Sequence, residues 1–282
     1  MKVLVTGADG QLGQDVVELF LGHGHDVVAC NRTKLDITKQ EQCQQVLIEK
    51  RPDVVIHCAA YTAVDQAETD IDQAYLVNAV GTRNVAVAAE LIGAKIVYIS
   101  TDYVFDGCGN KPYHEYDNTN PQGIYGKSKR AGEVLVQTLS SRYFIVRTSW
   151  VFGQYGTNFV KTMMKLGLER EQLSIVHDQI GSPTYTVDLA EFLLNLVVTE
   201  RYGIYHASNS GVCSWYEFAE EIMRRSNIDI ELIPCTTEQF PRPAPRPQYS
   251  VMEPLSIRTN GFETLPHWKD ALKRFILASS IK

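Results

Sequence analysis

Tyr125 and Lys129, in Tyr125-Gly-Lys-Ser-Lys129, put a phenol and an ammonium four residues apart and are the pair in this chain best suited to moving a proton. On a helix that spacing places both side chains on one face. A nearby ammonium stabilises the phenolate and draws down a pKa that starts near about 10, bringing the tyrosine toward proton exchange at working pH. By itself Tyr-x-x-x-Lys is a common helix-surface spacing. Its position is what points to chemistry: it follows a strand candidate ending Ser100-Thr101-Asp102, and open α/β sheets put ligands at the carboxyl ends of their strands. A hydroxyl there is placed to donate to a carbonyl oxygen beside the tyrosine, and the residues alone leave Ser100 and Thr101 equal for that role.

A second constellation opens the chain. Thr6-Gly7-Ala-Asp-Gly10-Gln-Leu-Gly13 follows the strand candidate Lys2–Thr6 and leads into an amphipathic stretch from Gln11 to Leu21. Gly7 permits a tight turn, Gly10 a close backbone approach to a pyrophosphate, and Gly13 close packing of helix on strand, while the helix N-terminus attracts the anion. Gln11 and Leu12 share the predicted cofactor contact. About 20 positions past such glycines, an acidic residue would hold the ribose 2′-hydroxyl of NAD. Here the second strand ends in Asn31-Arg32, an amide and a cation. The cation suits a 2′-phosphate, so NADPH is the expected cofactor, with NADH as the alternative.

The elements that must position these groups follow a regular rhythm. Lys2–Thr6, Asp26–Asn31, Asp53–His57, Lys95–Ser100 and Tyr143–Thr148 read as strands, each followed by helix-like sequence. Runs such as Val54-Val-Ile56 are nearly continuous in apolar residues, as strands covered on both faces require, so the expected fold is α/β with a doubly wound parallel sheet. Thr38 and Glu41 have the spacing of a capping box ahead of a helix over 42–49, which Arg51-Pro52 ends. After residue 150 the pattern loosens into helix 159–169, strand 173–176, helix 187–199, strand 203–207 and helix 214–226. The division expected is 1–150 for a dinucleotide-binding unit and 151–282 for a mainly substrate-binding portion, partly interleaved with the first. Six prolines between Ile233 and Pro254 keep that segment out of helix interior and predict an extended course.

Composition narrows the class. The chain has 282 residues, 44% hydrophobic and 21% charged, and a net charge of −6 without long like-charge runs. Nothing in this forms a footprint for nucleic acid or an anionic membrane, so a small-molecule partner is expected. No apolar stretch approaches the ~20 residues of a transmembrane helix, and Met1 leads directly into a short strand-like run, which fits a cytoplasmic enzyme. Six scattered cysteines show no zinc-like spacing and read as reduced, mostly buried thiols.

The Gly-x-x-Gly-x-x-Gly spacing resembles the extended short-chain dehydrogenase/reductase superfamily. Over nearly the whole chain the residues resemble one family within it, the dTDP-4-dehydrorhamnose reductases. The carrying motifs are Gly7 to Gly13, Leu35-Asp-Ile37, Cys58-Ala-Ala-Tyr-Thr-Ala-Val-Asp65, Asn78, Ser100-Thr-Asp-Tyr-Val-Phe-Asp-Gly107, Tyr125 to Lys129, Arg147-Thr-Ser-Trp150, Asp178-Gln-Ile-Gly-Ser-Pro-Thr184 and Arg246-Pro247. The resemblance implies reduction of the C4 ketone of dTDP-4-dehydro-L-rhamnose, with Tyr125, Lys129 and Thr101 as the catalytic set and Lys129 also bonded to the nicotinamide ribose. It implies Asp36 and Ile37 beside the adenine, Ala59, Ala60 and Tyr61 along the dinucleotide, and Thr62, Val64, Asp102, Tyr103 and Trp150 against a dTDP-sugar. As an ordered wall, the proline-rich segment would turn Arg242 and Arg246 toward the diphosphate, Arg246 ahead because it matches the family's Arg-Pro. As an exposed segment it would instead be a ligand for aromatic-grooved modules. Some relatives use magnesium and acidic residues between two subunits. Here the first helix carries Asp15 and no convergent carboxylates are visible, so no metal site is expected and a homodimer stays open. The rival readings are another nucleotide-sugar ketoreductase or epimerase, and a non-catalytic Rossmann regulatory subunit, which would have no need of the tyrosine and lysine.

Overall fold

The apolar runs of the first half become buried strands because helices cover both of their faces. The computed structural model describes residues 1–279. It places β1 (Lys2–Thr6), α1 (Gln11–Gly22), β2 (Asp26–Cys30), α2 (Gln40–Lys50) and β3 (Val54–His57) in succession. Two short helices follow, α3 (Val64–Ala67) and α4 (Ile71–Tyr75); a π-helical turn over Leu76–Gly81 then joins α4 to α5 (Thr82–Leu91). Next come β4 (Lys95–Thr101), α6 (Ile124–Leu139) and β5 (Tyr143–Thr148).

The second half runs β6 (Val151–Phe152), α7 (Phe159–Glu169), β7 (Gln172–Val176), β8 (Ile180–Gly181), β9 (Thr184–Tyr185), α8 (Thr186–Val197) and β10 (Gly203–His206). It ends with β11 (Cys213–Ser214), α9 (Trp215–Ser226), β12 (Glu231–Cys235), α10 (Leu255–Thr259) and α11 (Trp268–Ser279).

The central sheet has the order β10-β5-β4-β3-β1-β2, with every pair parallel. The chain winds outward from β1 to β2, then returns past β1 to β3 and continues the other way. The switch in direction lies between β1 and β3, where doubly wound sheets open a crevice at the strands' carboxyl ends. One face of the sheet buries Val16 and Phe20 of α1 with Leu189, Leu193 and Leu196 of α8. The other buries Cys43 and Leu47 of α2, Val85 and Ala89 of α5 and Val136 of α6. Each Val, Leu or Phe among these contributes about 1.5–3 kcal/mol of burial, which fixes the strands' register and hence their ends. A third core, with Phe152, Phe218, Trp268 and Phe275, gathers α7, α9 and α11.

Local chemistry departs from the sequence reading at one cap. The Thr38/Glu41 box does not form: α2 starts at Gln40 after Lys39, with no side-chain cap. Thr38 instead gives both its hydroxyl (2.7 Å) and its amide (3.0 Å) to Asp36 Oδ1, an Asx-type turn that competes with the cap. A true capping box stands ahead of α9, where the Glu217 amide donates to Ser214 Oγ at 3.1 Å and the Ser214 amide to Glu217 Oε2 at 2.7 Å. The helix expected at 187–199 ends at Val197, and the proline-rich segment carries no helix before Leu255.

Candidate active site

A crevice of about 1070 Å³ lies along the carboxyl ends of the central strands. Its floor begins at the turn after β1. Gly7 has a φ of +62°, and a Cβ on it would sit 2.8 Å from the Ala59 backbone. A Cβ on Gly13 would come within 2.1 Å of the Gly7 carbonyl oxygen, so α1 packs against the turn only because that residue is glycine. No side chain caps the N-terminus of α1, and Gly10, Gln11, Leu12 and Gly13 line the crevice there. Gln11 also reaches the second half, donating to the Val151 carbonyl at 3.2 Å and accepting from Asn158 at 2.8 Å.

Past β2, Arg32, Asp36 and Ile37 line the crevice and Asn31 does not. Asn31 Oδ1 is taken by the Thr33 hydroxyl (2.7 Å) and the Lys34 amide (3.1 Å), so its side chain folds back on its own turn. Hydrogen bonds from Thr38 hold the Asp36 carboxyl below its ordinary value.

The end of β3 is held by a buried relay. The Thr6 hydroxyl meets His57 Nδ1 at 2.7 Å, His57 Nε2 meets the Thr82 hydroxyl at 3.1 Å, and Thr82 donates to the Asn78 carbonyl at 2.8 Å. Burial, and then the Lys129 charge, pull His57 down to about 3, so the ring is neutral. Asn78, in the π-helical turn, accepts from the Tyr61 amide at 2.8 Å and donates to the Tyr61 carbonyl at 3.1 Å and to Ser128 at 3.0 Å. Ser128 in turn donates to the Tyr125 carbonyl at 2.8 Å. One asparagine thus couples the Ala59-Ala60-Tyr61 wall to the helix bearing the tyrosine and lysine, at the kind of π-turn that recurs at functional sites.

At the end of β4 the two hydroxyls separate. Ser100 donates inward to Glu133 at 2.6 Å, whereas Thr101 donates to Asp102 at 2.8 Å and interacts with the Tyr125 phenol. Tyr125 packs edge-on against Tyr103, with ring centroids 5.5 Å apart. Burial pushes its phenol up to about 12, with the Thr101 hydrogen bond opposing and the Asp102 charge adding. Lys129 is 2% exposed, and burial pulls it down to about 7 against the carboxylate of Glu133. The expected lowering of the phenol by the ammonium is therefore not found. Lys129 Nζ donates to the Ile99 carbonyl at 2.7 Å and lies 4.1 Å over the Tyr98 ring, spending its charge on β4 while desolvation governs the phenol. Burial likewise pushes Asp102 up to about 6, against hydrogen bonds from Thr101 and Ser250.

Thr62, Val64, Asp102, Tyr103 and Trp150 complete the lining. Trp150 has a φ of +48° and stacks on Trp215 with centroids 3.6 Å apart. The two arginines expected at a diphosphate are not in the lining. Arg246 pairs with Asp65 at 2.8 Å, and Arg242 lies 4.7 Å over the exposed Phe240 ring. The sequence reading omitted Ser149, Gly156 and Thr157, which line the crevice past β5, and Asp70, which accepts from the Tyr61 phenol at 3.3 Å. The strand-end rule applied to β5 as well as β4 would have found Ser149; a rim residue such as Asp70 gives no local signal. Thr148 Oγ1 is buried without a hydrogen-bond partner among the described residues. Among the described residues no group of three or more His, Cys, Asp or Glu converges as metal ligands would, and no helix is long and apolar enough to cross a membrane.

The sequence model of one family, described as RmlD substrate binding domain, matches residues 1–281. The spore coat polysaccharide biosynthesis protein SpsK of Bacillus subtilis (strain 168) is 46% identical, covering 98% of this chain and 96% of its own. A dTDP-4-dehydrorhamnose reductase of Aggregatibacter actinomycetemcomitans is 41% identical, covering 96% and 97%. The crystal structure of a dTDP-4-dehydrorhamnose reductase from Bacillus anthracis str. Ames in complex with NADP superposes with a TM-score of 0.97 at 51% identity, covering 98% of this chain and 99% of that one. With the glycine turn, the Thr101/Tyr125/Lys129 cluster and these end-to-end matches in agreement, the chain belongs to the family of the dTDP-4-dehydrorhamnose reductases.

Proposed function

We propose that this chain reduces the C4 ketone of dTDP-4-dehydro-L-rhamnose with NADPH to give dTDP-L-rhamnose, in the synthesis of cell-surface polysaccharide. The observation that carries the reading is the convergence of Thr101, Tyr125 and Lys129 at the end of β4, in the same crevice as the glycine turn and Arg32. A close relative crystallised with NADP supports the cofactor, and the names of the relatives support the sugar.

The residues fit a dinucleotide. Gly7 and Gly13 leave no space for side chains, the first turn of α1 is uncapped, and Arg32 stands on the crevice wall. The uncapped N–H groups from Gln11 to Gly13 would hold the pyrophosphate and Arg32 the 2′-phosphate. Asp36 and Ile37 flank the adenine, and Ala59, Ala60 and Tyr61 wall the remainder. When bound, the nicotinamide supplies the hydride. Tyr125, with its pKa pushed up to about 12, stays protonated across the working range and passes its proton to the oxygen forming at C4. The Thr101 hydroxyl, turning its one proton from Asp102, donates to that oxygen, and Lys129, beneath the same strand end, adds positive potential and bonds the ribose. Thr62, Val64, Asp102, Tyr103 and Trp150 meet the sugar nucleotide, with Arg246 at its diphosphate. In this reading 1–150 bind the dinucleotide and 151–282 mainly the substrate, with β10 returning to the sheet; the enzyme works in the cytoplasm, where its free cysteines suit a reducing medium.

The test is turnover of dTDP-4-dehydro-L-rhamnose with NADPH, with the sugar product identified by NMR. Equimolar NADPH oxidation and a rhamnose product support the reading. A 6-deoxy-talose product, or epimerisation without NADPH loss, would replace it with one of the rival activities.

A further inference from the structure

The proline-rich segment is not a free strap. Pro247 packs so closely on Gly107 that a Cβ there would lie 2.6 Å from the Pro247 Cα, and the Tyr249 amide donates to the Gly107 carbonyl at 2.9 Å. Pro245 rests near Gly123, the residue ahead of α6, at 3.5 Å from the place of its missing Cβ. Arg246 is therefore carried on a segment fixed at both sides, and its side chain is 18% exposed. Its guanidinium is held end-on: Nη2 donates to Asp65 Oδ1 at 2.8 Å, and Nη1 reaches the Ala244 carbonyl only at 3.4 Å. The same Asp65 oxygen accepts from the Ala244 amide at 3.2 Å. Both charges act on Tyr103, whose ring lines the crevice, Arg246 lowering its phenol pKa and Asp65 raising it beneath the larger effect of burial. Val64, next to Asp65, also lines the crevice. The pair thus stands against the wall where the sugar nucleotide is read to lie, with the cation already partly neutralised.

We propose that Asp65 sets the affinity of this site for a nucleoside diphosphate by competing, as a built-in carboxylate, for the Arg246 guanidinium. The proposal rests on the reading that Arg246 meets the diphosphate. A part-exposed, single-oxygen ion pair is weak, so a diphosphate able to take the fork of the guanidinium on two oxygens displaces it. Every binding event then pays for release of the carboxylate, which keeps the nucleotide exchangeable instead of locked. Asp65 is in this sense an affinity-setting residue that acts through Arg246.

The experiment is calorimetric titration of dTDP, with thymidine as a phosphate-free control, into the NADPH-loaded protein and its variants. Asp65→Asn keeps an oxygen for the Ala244 amide while removing the charge. It is expected to tighten dTDP by about three- to ten-fold, to leave thymidine unchanged and to steepen the loss of affinity with salt. Arg246→Gln is expected to weaken dTDP about ten-fold or more, and adding Asp65→Asn in that background should give no gain. Asp65→Ser, which also removes the charge, should reproduce the tightening if the asparagine variant folds poorly. Unchanged or weaker dTDP binding in both folded Asp65 variants, with Arg246→Gln still impaired, overturns the competition and leaves the arginine reading intact. Wild-type dTDP affinity in Arg246→Gln overturns both.

Discussion

Tyr125 enters the reaction as an acid, and its environment explains why it remains one. Burial raises the phenol and Lys129 is turned to the Ile99 carbonyl, so the free enzyme stores the proton on the tyrosine. Lys129 is the titrating partner. With its pKa near 7, it gives up charge above neutrality, and kcat/KM is expected to fall as pH rises past about 7; a flat profile to about pH 9 would show that the ammonium contributes nothing. The same shift has a stability sign. The folded pKa lies below the free value of about 10.4, so between the two the unfolded chain binds the extra proton and stability from this site rises with pH. Urea unfolding of Lys129→Met beside the parent should show the difference moving in the parent's favour from about pH 6 to about pH 10; a pH-independent difference would contradict the burial penalty. At this scale the sequence was informative where strand ends fix the place of a residue, as with Thr101 and Trp150, and where helix spacing does, as with Tyr125 and Lys129. It misled for Asn31, whose side chain is held by Thr33 and Lys34, and it gave no sign of the Asp65 carboxylate that pairs with Arg246. Those competitions are set by a turn and by a contact across the fold, and residue type alone does not show them.

Helices and strands turn these groups into a site through a few contacts at their ends. Asn78 bridges the loop after β3 and the first turn of α6, and no other described side chain makes all three of its hydrogen bonds. Asn78→Ala leaves the part-buried Tyr61 backbone and the buried Ser128 short of partners, at a cost of about 1–2 kcal/mol. Denaturant unfolding should show that loss together with weaker NADPH binding, and unchanged binding would show that the clamp does not shape the cofactor wall. The five strands of the first half were legible within a residue or so, because buried parallel strands are written as continuous apolar runs. The cap of α2 was not, because the Thr38 hydroxyl is turned to donate to Asp36 instead of accepting from the N–H groups of the helix. The π-helical turn has no periodic signature that separates it from α5.

Across the whole molecule, buried charge holds the sheet to the helix that carries the chemistry. Arg147 of β5 makes a two-pronged pair with Glu133 of α6, at 2.8 Å on each side, and Ser100 of β4 donates to the same carboxylate. Glu133 is fully buried, and Arg147→Met leaves its charge only the longer contact from Arg130 at 3.4 Å, so the variant should cost about 3 kcal/mol, read as a lower Tm; pairing it with Glu133→Gln should recover much of the loss. A single variant as stable as the parent would show that Arg130 alone suffices to hold the carboxylate. The doubly wound sheet was readable from the alternation of strands and helices. Long-range packing was not, such as the proline wall on Gly107 or the stacking of Trp150 on Trp215, since it joins residues far apart in the chain. The central claim is that this crevice couples hydride transfer to a proton from Tyr125. Its most direct test is single-turnover oxidation of bound NADPH by dTDP-4-dehydro-L-rhamnose in the parent and in Tyr125→Phe. The account predicts equal NADPH affinity and a rate lower by about 10²–10⁴-fold in the variant. A variant that oxidises NADPH at the parental rate would contradict it.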